Sequence, residues 1–177
     1  MKSGDKKAEY MTSLSGTELV SKTHGRIAFR GCIDTLQAEV IEAQVLAAGL
    51  GAEEACGRLG EILALLRDLM AAEVKETPLP PPFLFGMDAE EIHRRSHEAF
   101  TAGADGKPTF PDHTQGPLAA RLNTLRAKVR EAELLSVRVF GPGENRLSPE
   151  REDIILALNR LSSALWWLFC EYACRKN

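Results

Sequence analysis

Two arginines and an acid recur on one side of a predicted helix. Arg126 and Arg130 are four residues apart, and Glu133 follows Arg130 by three. Because helical residues three or four apart lie on the same side, the three side chains are expected to share one face. Guanidinium groups bind phosphate oxygens, and a neighbouring carboxylate can hold them in place. The spacing thus indicates a polyphosphate site, but it also fits the commoner case, an exposed helix with ordinary charge pairs.

A second polar group interrupts the last predicted helix. Asn159 and Arg160 are followed by Ser162 and Ser163, among mostly apolar neighbours. Asn is unfavourable inside a helix because its side chain competes for backbone hydrogen bonds. These residues predict either a buried polar site or interface, or an internal hydrogen-bond network.

Two histidines are also spaced by one helical turn. His93 and His97 are four residues apart on a predicted short helix, and His113 lies in the loop that follows. Such a pair can bind a divalent metal. No Glu follows His93 in the metalloprotease pattern, so a structural pair is the favoured interpretation and no metal site is assigned.

The cysteines indicate a reducing compartment. Cys32, Cys56, Cys170 and Cys174 form no Cys-x-x-Cys pair, and residues 1–21 lack the features of a signal peptide. Free thiols and a cytoplasmic location are therefore expected. The longest apolar run, residues 164–170, is too short to span a bilayer, so no membrane partner is expected.

Helices are expected to position all of these residues. Apolar residues recur with helical periodicity in four long segments and one short one, at about residues 26–50, 52–74, 88–97, 117–140 and 149–175. Ser148 and Pro149 have the chemistry of a helix start, whereas the prolines of residues 77–82 exclude helix there. No strand is predicted. The predicted fold is all-α, an up-and-down bundle of four long helices and one short helix, with a flexible lead-in at residues 1–23 and a bundle domain at 24–177.

Composition agrees with this fold class. The chain has 177 residues, 44% hydrophobic and 27% charged, which suits one globular domain. Aromatic residues make up only 6%, which favours helix packing over sheet. The net charge of −3 and pI of about 5.9 argue against nucleic acid as a partner, so an anionic ligand would need a local arginine cluster.

Taken together, the two polar helices resemble the signature helices of the cobalamin adenosyltransferases. The matching stretches are residues 126–133 and 158–163, with support from residues 19–26, 29–34, 91–97 and 122–126. The details are most similar to the ethanolamine-utilization branch. The resemblance covers roughly residue 11 to the C-terminus.

The resemblance implies a helical bundle that forms homotrimers with active sites between subunits. It implies transfer of the 5′-deoxyadenosyl group of ATP to cobalt(I) of a corrinoid such as cobalamin, with Mg²⁺ present and triphosphate released. The reduced corrinoid would be a second substrate, supplied with the help of a reductase. Association with a bacterial microcompartment is a further implication.

Residue roles also follow from the resemblance. Arg126 and Arg130 would bind the triphosphate, Glu133 would orient them or the Mg²⁺, and Asn159 would contact the nucleotide. Phe110, His113 and Ser163 would contact the corrinoid. Asp34 matches an acid that pairs with an arginine across the subunit interface in the propanediol-utilization branch.

The chain also departs from the family pattern. The Thr-Gly-Asp-x-Gly loop of the propanediol-utilization branch is missing, and Ser163 stands where that branch has Asp. Longer ethanolamine-type members carry an upstream domain with a His and Cys-Cys-x-x-Cys metal motif, so this chain is expected to be a short, metal-independent version or a piece of a longer protein. Lys6, Lys7 or Lys22 would then complete the ATP site. The alternatives to an enzyme are a non-catalytic corrinoid carrier or a helical scaffold protein.

Overall fold

A computed structural model describes residues 7–101, 110–142 and 148–174. Within these ranges the fold is mostly helical, which confirms the predicted class. The elements are a hairpin of β1 (Met11–Ser13) and β2 (Leu19–Ser21), followed by α1 (Gly25–Gly49), α2 (Glu53–Lys75), α3 (Ala89–Thr101), α4 (Gly116–Phe140) and α5 (Glu152–Cys174). A single 3₁₀ turn, His113–Gln115, precedes α4.

Local sequence signals set most helix ends. The Asp88 carboxylate accepts a hydrogen bond from the Glu91 N–H at 2.8 Å, which caps α3 as the sequence predicts. Gly51, with φ of +67°, turns the chain between α1 and α2. Pro117 occupies the first turn of α4, where its missing N–H costs nothing.

Four long helices form the bundle, and each neighbouring pair is antiparallel. Phe29 of α1 meets Phe140 of α4, with ring centroids 5.1 Å apart. Arg58 of α2 pairs with Glu171 of α5, although both residues lie far apart in the chain. Helices α1 and α5 therefore point one way, and α2 and α4 the other.

This chain order corrects the up-and-down prediction, because the order is up, down, down, up. The proline-rich connector returns the chain along the bundle after α2. The connector begins beside the start of α5, where the Leu79 N–H donates to Asp153 at 2.8 Å. It then runs back along α2, where the Phe85 N–H donates to Glu61 at 2.7 Å. The sequence shows that this segment is non-helical but not that it spans the bundle.

The lead-in contains structure that the sequence did not predict. Met11 to Ser13 pairs antiparallel with Leu19 to Ser21. The turn contains Gly16, with φ of +50°, and the Leu14 side chain is buried. The Leu14 carbonyl accepts a hydrogen bond from Arg30 Nη1 at 2.8 Å, which attaches the hairpin to α1. Strands of three residues are too short for a reliable period-two pattern, so the hairpin escapes sequence analysis.

Helix α5 begins at Glu152, later than the predicted start at Pro149. Arg151, just before the helix, donates to Asp153 and to the carbonyls of Ala72 and Thr77. Arg151 thus binds the end of α2 and the connector, and the Asp153 Oδ1 accepts a hydrogen bond from the Ile154 N–H at 2.9 Å in the first turn of the helix.

Helix α5 is long and apolar enough to cross a bilayer by length and composition, which the shorter apolar run had not suggested. However, 56% of its most apolar window is buried inside the protein. Its buried residues include Leu158, Leu161, Leu165 and Phe169, and it packs between α4 and α3. Such burial is typical of the core helix of a bundle.

Candidate active site

A cavity of about 570 Å³ opens on the α3, α4 and α5 side of the bundle. We call it the arginine cavity. It is lined by Ser96, His97, Pro111, Arg126, Arg130, Ser162, Ser163 and Trp166. The antiparallel pairing of α4 with α5 brings together the two polar segments that the sequence singled out, and α3 adds Ser96 and His97.

The two arginines carry the electrostatics of the cavity. Arg126 is half-buried and its Nε donates to the Asn123 Oδ1 at 3.0 Å, whereas Arg130 is exposed. Burial, and then the charge of Arg130, lower the pKa of Arg126. Among the described residues, no carboxylate forms a salt bridge with either arginine. Two cations without a neutralising acid favour an anionic ligand.

Trp166 forms one wall of the cavity and was not predicted from the sequence as a site residue. The Arg126 guanidinium carbon lies 5.4 Å from the centroid of its ring. The tryptophan also stacks on Phe169, with centroids 5.2 Å apart. A usable signal was present, because Trp166 follows Ser162 by four residues and Ser163 by three, and so lies on the same side of the helix as this polar pair.

Glu133 and Asn159 meet each other but do not line the arginine cavity. The Asn159 Nδ2 donates to Glu133 Oε1 at 2.8 Å, and its Oδ1 accepts from Arg160 Nη1 at 2.6 Å. The Asn159 amide thus bridges an acid and a base. Glu133 turns from the predicted arginine face toward α5 because its partner is there. Both ends of the Asn159 amide are engaged inside the protein.

The serines of α5 differ in their contacts. The Ser162 hydroxyl donates to the Asn159 carbonyl at 2.8 Å, a bond within the helix. Ser163 lines the arginine cavity beside the arginines, as does His97 from α3. These two side chains add polar groups that could contact an uncharged part of a ligand.

Other predicted site residues lie outside the arginine cavity. Phe110 is 72% exposed and does not line the cavity, although the adjacent Pro111 does. The His113 side chain is exposed, with its Nδ1 3.3 Å from Asp112. Lys22 and Asp34 are exposed at the hairpin and on α1. Lys6 lies outside the described residues.

The histidine pair and the cysteines add no metal-binding cluster in the described part of the chain. His93 and His97 contact edge to face, with ring centroids 4.6 Å apart. No group of three or more His, Cys, Asp or Glu side chains with metal-binding geometry occurs among the described residues. The four cysteines are free, as predicted. Burial raises the pKa of Cys170 to about 12, so this thiol is unreactive at neutral pH.

Known proteins are similar to this chain over most of its length. The family model for cobalamin adenosyltransferase matches residues 1–172. Corrinoid adenosyltransferase EutT of Salmonella typhimurium is 34% identical over 161 residues, as is the EutT protein of Escherichia coli K12. Each alignment covers 91% of this chain, and the chain spans only 58% of the length of either relative.

Solved structures share the fold. Two variants of a PduO-type ATP:corrinoid adenosyltransferase from Lactobacillus reuteri, each complexed with cobalamin and ATP, superpose with a TM-score of 0.65. They are 22% identical to this chain; each alignment covers 93% of it, and 88% and 86% of the two solved chains. With the family match over nearly the whole sequence, these likenesses show that the chain belongs to the cobalamin adenosyltransferase family.

Proposed function

We propose that this chain is an ATP:corrinoid adenosyltransferase that makes adenosylcobalamin, serving ethanolamine utilization. The observation that carries the proposal is the arginine cavity, where Arg126 and Arg130 lack a neutralising carboxylate among the described residues. The corrinoid adenosyltransferase EutT relatives and the solved adenosyltransferase complexes with cobalamin and ATP support the same activity.

The reaction needs an anion site more than it needs an acid or a base. Cobalt(I) of the corrinoid attacks C5′ of the ATP ribose in line. A cobalt–carbon bond forms, the C5′–oxygen bond breaks, and triphosphate leaves with the electron pair. The leaving group gains negative charge in the transition state, and the guanidiniums of Arg126 and Arg130 stabilise it. They also fix the direction of departure, which sets the in-line geometry.

Glu133 and Asn159 act behind the arginines in this proposal. Their hydrogen bond of 2.8 Å fixes α4 against α5 next to the cavity. In nucleotide sites Mg²⁺ is usually held by phosphates, waters and one or two carboxylates. Glu133 is a carboxylate on the arginine helix, but it does not line the arginine cavity and would need to leave its hydrogen bond with Asn159 to hold such an ion. The ion would neutralise part of the triphosphate charge.

The corrinoid side of the site draws on residues around the entrance. Ser163 lines the arginine cavity, and the segment Phe110 to His113 leads into α4 beside it. The exposed ring of Phe110 offers apolar area for a flat corrin ring. A reductase that delivers cobalt(I) is expected as a partner.

A second copy of the chain would complete the site. Lys22 and Asp34, which the resemblance assigns to ATP binding and to an intersubunit contact, are exposed and do not line the arginine cavity. In a homotrimer, the α1 side of one copy can face the cavity of the next. The proposed location is the cytoplasm, with a microcompartment as the site of use.

One assay tests the activity. ATP, Mg²⁺ and chemically reduced cobalamin are added, and the absorbance change from cobalt(I) to the alkylated form is followed together with triphosphate release. Arg130→Ala is expected to lower kcat/KM about 10- to 1,000-fold, since it removes one transition-state contact. Arg67→Ala, an exposed arginine of α2, serves as the control and should retain the wild-type rate.

The outcomes separate the alternatives. If wild type binds the corrinoid but releases no triphosphate, the protein is a corrinoid carrier and not an enzyme. If wild type binds neither ATP nor the corrinoid, a scaffold protein is the remaining alternative. A full rate in Arg130→Ala would overturn the site while keeping the activity.

A further inference from the structure

Two adjacent tryptophans of α5 each lie under an arginine, on different sides of the helix. Arg58 lies 4.9 Å from the centroid of Trp167, and Arg126 lies 5.4 Å from that of Trp166. Both tryptophans are half-buried. The chain has two tryptophans in all, so the two pairs form a comparison within one molecule.

The pair of Arg58 and Trp167 is accompanied by two acids. Arg58 forms salt bridges with Glu54 and Glu171. The same guanidinium also lies near the ring of Phe85, which packs against Trp167. Its charge is therefore used inside the fold, where it fixes the connector against α2 and α5.

The Trp166 pair differs in having no acid. The Arg126 Nε donates to the neutral amide oxygen of Asn123. Among the described residues no carboxylate bridges Arg126, and the nearby Arg130 adds charge of the same sign. Both arginines face the arginine cavity together with Trp166.

The nature of the stabilising group matters for an anion site. An aromatic face attracts a guanidinium through its quadrupole, so the cation keeps its full charge. A carboxylate in the same place would neutralise the guanidinium and repel a phosphate. We propose that Trp166 is a positioning residue, which holds Arg126 toward the arginine cavity while leaving its charge available to a polyphosphate. This inference rests on the proposed function, since it names how the leaving-group site of that function is held.

Binding of inorganic tripolyphosphate, measured by calorimetry, tests the inference without turnover. Trp166→Leu should raise the Kd about two- to thirty-fold, and Trp166→Phe should recover most of the affinity because a ring face remains. In the adenosyltransferase assay, the KM for ATP should rise in Trp166→Leu while the KM for the corrinoid stays the same.

Trp167→Leu is the matched control. It removes an equally half-buried tryptophan of the same helix, next in sequence. It should lower the Tm and leave the Kd for tripolyphosphate at the wild-type value. If Trp167→Leu and Trp166→Leu raise the Kd equally, the effect is one of general packing and the inference is wrong.

Fluorescence gives a second readout. Trp167→Phe leaves Trp166 as the one tryptophan, and Trp166→Phe leaves Trp167. Tripolyphosphate should change the emission of the Trp167→Phe protein and leave that of the Trp166→Phe protein constant. The reverse pattern would overturn the inference.

The two proposals fail in different ways. If wild type turns over and Trp166→Leu binds tripolyphosphate as wild type does, the positioning role fails and the activity stands. If wild type binds tripolyphosphate through Trp166 but makes no adenosylcobalamin, the activity fails and the positioning role stands. If wild type does not bind tripolyphosphate, the positioning role is wrong, and the turnover assay alone decides the activity.

Discussion

Arg126 and Arg130 differ from other arginines of the chain in what surrounds them. Arg26, Arg58 and Arg121 each bind a carboxylate on a neighbouring turn or helix. An arginine paired in this way contributes to the fold and offers little charge to a ligand. Arg126 and Arg130 have no acid partner among the described residues, as is also true of Arg67, but they differ from Arg67 in lining one cavity together. That shared position is a property of tertiary packing and not of residue type.

The Asn159 side chain bridges Glu133 and Arg160. Asn159 can serve both neighbours because its amide carries a donor and an acceptor. In Asn159→Asp, the new carboxylate loses the donor and lies against the carboxylate of Glu133, formerly 2.8 Å from the amide nitrogen. We expect a loss of about 1–2 kcal/mol in the free energy of unfolding, measured by urea denaturation.

The double variant Asn159→Asp with Glu133→Gln provides the control. It restores a donor opposite an acceptor with the two residue types exchanged, so stability should return toward wild type. An Asn159→Asp protein as stable as wild type would contradict the bridge. The bridge would also be contradicted if the double variant lost more unfolding free energy than the two single variants lose in sum.

Sequence spacing alone predicts only part of this residue-scale picture. The four-residue spacing of Arg126 and Arg130 predicts their shared face, and the structure gives them a common cavity. Glu133 departs from that face because Asn159 on another helix offers it a hydrogen bond. Trp166 is hard to assign because a tryptophan in an apolar helix fits the core equally well.

At the scale of elements, hydrophobic periodicity predicts the helices, but it does not predict a helix end that is set by tertiary contacts. Helices α1, α2 and α4 begin and end within two residues of prediction, since glycines and prolines mark their ends. The start of α5 differs from the prediction at the point where Arg151 and Asp153 bind the connector, and the local sequence does not reveal these contacts. The path of the crossover between α2 and α4 cannot be predicted from the sequence for the same reason, because it is set by contacts made across the bundle.

The contact between α5 and the connector predicts an acid-dependent stability. Burial raises the pKa of Asp153, but hydrogen bonds from Arg151 and from the backbone N–H groups of Leu79 and Ile154 outweigh it and lower the pKa overall. A lowered carboxyl pKa contributes stability above the unfolded-state value of about 4, and this contribution is lost as the pH falls toward the folded-state value. Asp153→Asn should cost about 1–2 kcal/mol at pH 7.

The pH dependence of stability distinguishes the loss of the Asp153 charge from a general loss of packing in Asp153→Asn. The difference in unfolding free energy between wild type and Asp153→Asn should shrink as the pH falls below about 4. Asp68→Asn, an exposed acid of α2, should follow wild type throughout. A difference that stays constant between pH 7 and pH 3 would show that the Asp153 charge is not involved.

At the scale of the whole molecule, a buried charge cluster joins the hairpin to the bundle. Glu73 of α2 is fully buried and binds Arg26 and Arg30 of α1, with nitrogen–oxygen distances of 2.5 Å in both cases. Arg30 continues to the Leu14 carbonyl in the hairpin, and Arg26 continues to Glu76. The arginine cavity lies on a different side, so this cluster serves the fold.

Removing the charge of Glu73 should therefore weaken the whole fold. Glu73→Gln leaves two guanidiniums facing one neutral side chain, and breaking a buried ion pair in this way costs about 3–5 kcal/mol. Glu76→Gln is the control, because the Glu76 side chain is 58% exposed and solvent screens its pair with Arg26, so this variant should lose much less stability than Glu73→Gln. Urea denaturation measures both, and amide hydrogen exchange should show faster exchange in the hairpin of Glu73→Gln. If the two variants lose equal stability, the Glu73 cluster does not hold the hairpin to the bundle, and packing of Leu14 must do so.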